Sequence, residues 1–203
     1  MDCTSSMGSH IEGAKNSIKR VVDYMATMKP AIIVRAGFCG YRDHCDGSDR
    51  LQIFDFTTSC DDFKNNVSNV SPLGGGDPPE DVLGGLNAAV TSMTWRNPTR
   101  VLLHIADYPP HGRRFTDMSD DYPGGDPNGL IAERVLGEMQ SAGIYYFFGR
   151  ITEQTEKMIK VFQSIIGEYP VFDLKSTEPE ELVEKFFEAT CSAINTAITL
   201  KGE

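Results

Sequence analysis

The eight residues Arg100-Val101-Leu102-Leu103-His104-Ile105-Ala106-Asp107 decide the fold. Val101, Leu102, Leu103 and Ile105 follow one another almost without a polar interruption, the pattern of a strand covered on both faces, as inner strands of a parallel sheet are. A strand with one wet face would alternate instead. Asp107 closes the run, at the carboxyl end of the strand, where open α/β sheets bind their ligands.

Working outward from this strand, the chain alternates. Downstream lies a polar loop, Tyr108 to Gly125, and then Asp126-Pro127, an N-cap and first-turn pair that opens a helix through Ser141, closed by Gly143. Ile144 to Phe148 reads as the next strand, followed by a helix over 152–167, a strand over 169–174 and a helix over 178–199. Upstream, a helix runs from Glu80 to Met93 behind the turn-rich segment 71–79, and a short helix covers 60–67. Leu51 to Thr57 alternates and Ala31 to Phe38 is rich in apolar and β-branched residues, so these are two adjacent strands joined by the polar stretch 41–49. From Ser9 to Met28 the residues Ile11, Ala14, Ile18, Val21, Val22, Met25 and Met28 recur at steps of three and four, giving one apolar stripe on a helix that Pro30 stops. Strands and helices taking turns specify a three-layer α/β sandwich with a mostly parallel central sheet, one domain over residues 1–203, with no internal repeat or interdomain linker.

Composition agrees with one folded domain. The chain has 203 residues, 40% hydrophobic and 24% charged, enough for a packed core. Nineteen basic against twenty-nine acidic side chains leave a net charge of −10, which argues against nucleic acid as a partner. No apolar run approaches the roughly 18 residues of a membrane helix. Met1 to His10 has an acid at position 2 and no apolar core of a secretory signal, and five cysteines show no disulfide pattern, so a cytoplasmic location is expected.

Three polar clusters sit where this fold places ligands. In Asp2-Cys3-Thr4-Ser5-Ser6 the oxygen-bearing residues are two apart, so Asp2, Thr4 and Ser6 converge, a set suited to a hard cation such as magnesium. Gly74-Gly75-Gly76-Asp77-Pro78-Pro79-Glu80-Asp81 brings carboxylates to the start of a helix, and Asp107 is the third. Each has a plainer reading: helix caps for Asp2, Thr4 and Ser6, first-turn charge for Glu80 and Asp81, and a turn former before Pro109 and Pro110 for Asp107. Cys39, His44, Cys45 and Cys60 lack the spacing of a closed zinc site. Asp120, Asp121, Asp126 and Asn128 lack the spacing of a calcium loop and read as a solvated loop with a helix cap. His111 reads as a structural hydrogen-bond partner within its loop, with support of the metal loop as the alternative.

Taken in order, the three clusters resemble the metal-ion-dependent adhesion site of the von Willebrand factor A domain. More narrowly, Asp2-Cys3-Thr4-Ser5-Ser6-Met7, Gly40-Tyr41-Arg42-Asp43-His44, Gly75-Gly76-Asp77-Pro78-Pro79-Glu80-Asp81-Val82, and His104-Ile105-Ala106-Asp107 with Pro110-His111-Gly112 resemble the A domain that accompanies atypical α-kinases; no kinase catalytic domain is present. The resemblance implies a Rossmann-like sheet with one divalent cation on its top edge, Mg2+ with Mn2+ or Ca2+ as alternatives. Thr4 and Ser6 would ligate through their hydroxyls, and Asp2 and Asp107 directly or through water. The remaining position, a threonine in many members, falls here to Glu80 or Asp77, an arrangement similar to the integrin β-subunit domain. Glu80 is favoured, with Asp77 as the alternative or as an anchor for a second ion. One position on the cation stays open for a carboxylate of a protein partner.

In this family the first aspartate ends a buried central strand, yet only Met1 precedes Asp2. The expectation is a truncated first strand whose neighbours expose unpaired backbone and apolar faces, and an Asp2 at a frayed terminus that holds metal less tightly. The leading functional reading is a non-enzymatic, metal-dependent protein-interaction domain. The second is the regulatory part of an atypical α-kinase. The third, a magnesium-dependent phosphotransferase with Asp2 as nucleophile, is disfavoured because Asp2-Cys3-Thr4 stands where such enzymes carry Asp-x-Asp, and a serine hydrolase because no Gly-x-Ser-x-Gly is present.

Overall fold

A computed structural model describes residues 1–202. Its strands are β1 (Ala36–Tyr41), β2 (Leu51–Thr57), β3 (Arg100–Ala106), β4 (Ile144–Arg150) and β5 (Val171–Asp173). Its helices are α1 (Gly8–Ala26), α2 (Cys60–Ser68), α3 (Val82–Ser92), α4 (Ala132–Ser141), α5 (Glu156–Ile166) and α6 (Pro179–Gly202). β3, β4 and β5 form a parallel sheet, with Arg100 opposite Ile144 and Ala106 opposite Arg150, while β1 and β2 form an antiparallel pair.

Met1 to Cys3 join the two groups of strands. The Asp2 N–H donates to the Ile105 carbonyl of β3 at 2.9 Å, the Cys3 N–H to the Tyr41 carbonyl of β1 at 2.8 Å, and the Tyr41 N–H to the Met1 carbonyl at 3.1 Å. The order across the molecule is therefore β2, β1, Met1–Cys3, β3, β4, β5. The expected fraying of Asp2 is corrected here: its side chain is fully buried and its backbone is held from both sides.

Alternation along the strands builds the two outer layers. On β4, Ile144, Tyr146 and Phe148 face Leu136 and Met139 of α4 and Met158 and Phe162 of α5, and Leu86 of α3 belongs to the same core. Phe147 faces the other way, onto Ala193 and Ala197 of α6. Ile105 of β3 shares that side with Ile11 and Ile18 of α1, Phe63 of α2 and Phe186 of α6. The sequence pattern thus places β3 correctly as a strand covered on both faces.

The largest differences from the boundaries read in the sequence fall at two element starts. The strand expected at Ala31–Phe38 begins at Ala36 and runs on to Tyr41, because the antiparallel partner β2 ends opposite Ala36 and no strand among the described residues pairs with 31–35. Gly37 and Gly40 masked its true course; a Cβ on Gly40 would meet the Cys3 sulfur at 2.8 Å, so glycine there is a close-packing requirement. The helix expected from Asp126 begins at Ala132, since the Asp126 carboxylate accepts from the Asn128 and Leu130 N–H groups and so stabilises a turn.

His104 is the one polar side chain of the β3 interior. Its Nε2 lies 2.7 Å from the Tyr41 hydroxyl and its Nδ1 2.6 Å from the Tyr146 hydroxyl, and burial holds its pKa well below the usual histidine value. A neutral imidazole has one donor and one acceptor, so one tyrosine donates and the other accepts, and all three groups are satisfied. Tyr146→Phe is expected to leave one ring nitrogen unpaired and cost about 1–3 kcal/mol, which thermal denaturation would register as a lower melting temperature.

Candidate metal centre

Asp2, Thr4, Ser6, Glu80 and Asp107 meet at the carboxyl edge of the sheet, and backbone constraints put each of them there. Thr4 is extended, and its N–H and hydroxyl both donate to Asp2 Oδ1, at 2.9 and 2.7 Å. A turn of 3-10 helix over Ser5–Met7 then swings Ser6 back toward β3, where its hydroxyl donates to Asp107 Oδ2 at 2.6 Å. Asp107 follows β3 directly, and its carbonyl accepts from the Thr152 hydroxyl. Glu80 is positioned by its N–H, which donates to the Pro109 carbonyl at 3.0 Å. Asp81, not Glu80, caps α3, accepting from the Gly84 N–H at 2.8 Å, so Glu80 lies ahead of the helix rather than in its first turn.

The electrostatics of this cluster are unbalanced. Asp2, Glu80 and Asp107 are all buried, and Asp2 Oδ2, Glu80 Oε2 and Asp107 Oδ1 have no hydrogen-bond partner. Burial, reinforced by the charge of Asp107, raises the Asp2 pKa to about 8. Burial, reinforced by Asp2, Asp43 and Asp107, raises that of Glu80 to about 10. Buried polar atoms are normally paired, so three free carboxylate oxygens beside two hydroxyls fit a hard divalent cation. Ser6 is exposed, and it marks the side on which the cluster opens to the surface.

Asp77 lies elsewhere. Its Oδ2 accepts from the Asp121 N–H at 2.9 Å, and it groups with Asp43 and His111, away from Asp2 and Asp107. The structure therefore brings Glu80, and not Asp77, to the Asp2 cluster. Both nitrogens of His111 are engaged, Nε2 with Asp43 at 2.9 Å and Nδ1 with Asp120 at 2.8 Å. Although burial opposes it, these carboxylates raise the His111 pKa, and Asp43 and Asp120 are correspondingly lowered. His111 is thus a doubly donating bridge between loops.

Asp43 and Asp46 hold the glycine loop beside the cluster, and spacing singled out neither as a ligand. Asp43 Oδ2 accepts from the Gly76 N–H at 3.2 Å, Asp46 Oδ2 from the Gly75 N–H at 3.1 Å, and Ser5 donates to the Gly74 carbonyl at 3.0 Å. Together they fasten the glycine loop over the site. Gly75 has φ +87°, and a Cβ there would lie 3.2 Å from Glu80 Oε1 and 3.6 Å from Thr4, so the loop passes this close only as glycine. The sequence signals were the stretch Gly40–His44, which carries the resemblance and includes Asp43, and the acidic pair Asp43 and Asp46, which forms a reciprocal capping box.

The remaining sets do not assemble. Among the described residues no cysteine joins a cluster of metal ligands: Cys39 donates to the Gly85 carbonyl and Cys45 to Asp43. Asp120 is committed to His111 and Asp126 to its own turn, which leaves no calcium loop. His44 Nε2 sits 3.4 Å from Asp81 and 3.3 Å from Asp126 without a hydrogen bond to either, its Nδ1 faces Arg50 at 3.3 Å, and the three side chains form a separate compact group.

A sheet of this order, with carboxylates and hydroxyls gathered on its top edge, defines an open α/β domain. The family profile of the von Willebrand factor A domain matches residues 1–109, and the chain belongs to that family. It is 40% identical over 164 residues to the alpha-protein kinase vwkA of Dictyostelium discoideum; the match takes in 80% of the chain and 26% of the kinase, so the chain spans about a quarter of that relative's length. Among solved structures, the proximal thread matrix protein 1 of the mussel byssus superposes with a TM-score of 0.59 at 16% identity over 95% of this chain and 44% of its own. A von Willebrand factor type A protein from Catenulispora acidiphila gives 0.57 at 16% identity, over 95% and 41% respectively. The mussel protein has also been solved with a zinc-occupied MIDAS motif, and that form gives 0.57 at 13% identity, over 94% and 46%.

Two predictions follow from the geometry. The raised pKa values of Asp2 and Glu80 mean that the metal-free fold is favoured while both are protonated; with chelator present, the melting temperature should fall as pH rises above about 4, the Asp2 share levelling off near about 8 and the Glu80 share continuing toward about 10. Asp2→Asn should flatten that fall, and an unchanged profile would contradict it. Asp43→Ala, which frees the glycine loop and His111 without touching the three acids, should weaken divalent-cation binding by about 10–100-fold in calorimetric titration.

Proposed function

We propose that this chain is a non-enzymatic protein-interaction domain that holds one divalent cation through Asp2, Thr4, Ser6, Glu80 and Asp107 and presents it to a carboxylate of a partner protein. The observation that carries this reading is the set of three buried, unpartnered carboxylate oxygens beside two hydroxyls, with Ser6 on the exposed side. Mg2+ is the proposed cation, with Mn2+ or Ca2+ as alternatives, because every donor in the set is an oxygen. When bound, the cation supplies a Lewis-acidic centre for the partner's carboxylate. The chain's own residues orient that centre: Thr4 fixes Asp2, Ser6 fixes Asp107, and the glycine loop holds Glu80. A cytoplasmic location is proposed with it, supported by five free cysteines. Among the described residues, no helix is long and apolar enough to cross a membrane.

A second reading rests on the 40% identity to an alpha-protein kinase: the domain regulates or targets a kinase catalytic domain. Addition of this chain to a purified α-kinase domain would then change its activity in a metal-dependent way.

The direct test is a Mg2+ and Mn2+ titration of the wild-type chain and of Asp107→Ala, each shown to be folded. Saturable binding that the variant loses, together with retention of an acidic peptide only in the presence of the cation, is the expected outcome. Equal binding by the folded variant would overturn the assignment.

A further inference from the structure

His44, Asp81 and Asp126 come from three separate segments and meet in a small space that Glu80, Leu83, Pro110 and His111 close. His44 opens the turn after β1, Asp81 caps α3, and Asp126 lies ahead of α4. Their side chains are only 6%, 0% and 3% exposed. Two of the atoms that face one another, His44 Nε2 and Asp126 Oδ2, have no hydrogen-bond partner among the described residues. Buried polar atoms normally have partners, so two such atoms turned toward each other and toward Asp81 call for a shared ligand.

The distances identify it. Nε2 lies 3.3 Å from Asp126 Oδ2 and 3.4 Å from Asp81 Oδ1, and one ligand atom from each residue lies within 4.8 Å of the others. An N–H···O hydrogen bond spans about 2.7–3.2 Å, so both separations are too long for one. Donors on a tetrahedral ion with bonds of about 2.0–2.1 Å stand about 3.3–3.4 Å apart, whereas octahedral magnesium with similar bonds would draw them to about 3 Å. One imidazole nitrogen with two carboxylates is a donor set for zinc, unlike the all-oxygen cluster around Asp2.

The surroundings fix the three donors. Asp126 Oδ1 accepts from the Asn128 and Leu130 N–H groups, which leaves Oδ2 directed at His44. Asp81 Oδ1 accepts from the Gly84 N–H and Oδ2 from Arg50 at 2.7 Å. The His44 ring packs against those of His111 and Tyr122, with centroids 5.3 and 5.4 Å away. Its Nδ1 is 3.3 Å from Arg50, a contact beyond the usual range that leaves the ring proton free to sit on Nδ1 and Nε2 free to ligate. Outer contacts of this kind orient the ligands of metal sites.

We propose that His44 Nε2, Asp81 Oδ1 and Asp126 Oδ2 bind one zinc ion, separate from the cation at the Asp2 cluster, with water completing the tetrahedron. The ion staples the segments after β1, before α3 and before α4. Because Asp81 follows Glu80 directly, it also anchors the end of the segment that carries Glu80.

The probe is Zn2+ itself, titrated by calorimetry into the wild-type chain in excess Mg2+ and into Asp107→Ala. Each is expected to take up one equivalent, and the melting temperature should rise with zinc concentration. Co2+ in its place should give the strong visible absorption of a tetrahedral ion. Asp126→Asn keeps Oδ1 for the turn and exchanges only Oδ2, so it should weaken zinc by more than the about 10–100-fold that loss of an outer contact costs. His44→Gln should do the same. The proposal is overturned if the folded wild-type chain takes up no zinc in excess Mg2+, which would leave an N–H shared between the carboxylates. Equal zinc binding by folded Asp126→Asn would also overturn it, as would loss of zinc by folded Asp107→Ala, which would assign the ion to the Asp2 cluster. Should the variants not fold, the anomalous signal of zinc in crystals of the wild-type chain decides: a peak between His44, Asp81 and Asp126 supports the site, and peaks only elsewhere refute it. Failure of the Asp2 cluster to bind Mg2+ would leave each of these outcomes unchanged.

Discussion

Three acids buried at one point are the constraint on which the rest of this structure depends. Asp2, Glu80 and Asp107 come from three separate segments, each shielded from water, and each keeps one oxygen without a hydrogen-bond partner. Repulsion among them and loss of hydration push Asp2 and Glu80 toward the protonated state. A fold that gathers such groups is strained without a countercharge, and the surrounding framework exists to keep them together in spite of it.

That framework is mostly backbone. Asp2 is tied to β3 and, through its neighbours Met1 and Cys3, to β1; Asp107 follows β3, and Glu80 hangs from the Pro109 carbonyl. The glycine loop is then fastened by Asp43, Asp46 and Ser5, and His111 bridges Asp43 to Asp120 in the neighbouring loop. The acids of this second set have their charge matched, by a raised histidine or by backbone N–H donors, while the acids of the central set do not. This contrast separates the groups that support the site from those proposed to bind in it.

The same three residues at the start of the chain govern two features. Above them lies the acidic cluster; below them lies an opening between β1 and β3. Met1 to Cys3 bridge β1 and β3 at their carboxyl ends, so the two edges are joined beside the acidic cluster and part beneath it. No strand pairs with Ala31–Val34, whose Ile32 N–H donates instead to the Met25 carbonyl, and a strand forms only where another strand supplies its hydrogen bonds.

By itself the sequence determined the layer architecture and the identity of the central strand, because alternation of apolar periodicities is a local property that survives in any context. Val101 to Ile105 could be read as a doubly covered strand from composition alone, and the order Asp2, Thr4, Ser6, the acidic loop and Asp107 pointed to one edge of the sheet. Tertiary structure alone decided between Glu80 and Asp77, since only Pro78 and Pro79 separate them and only the course of the loop across Thr4 and Pro109 sends one toward Asp2 and the other toward His111. It alone decided where β1 starts, because a strand end is set by its partner's length and not by its own propensity. Asp43 and Asp46 were hidden for the same reason: their partners, the amides of Gly75 and Gly76, lie some thirty residues away and meet them only in the folded chain.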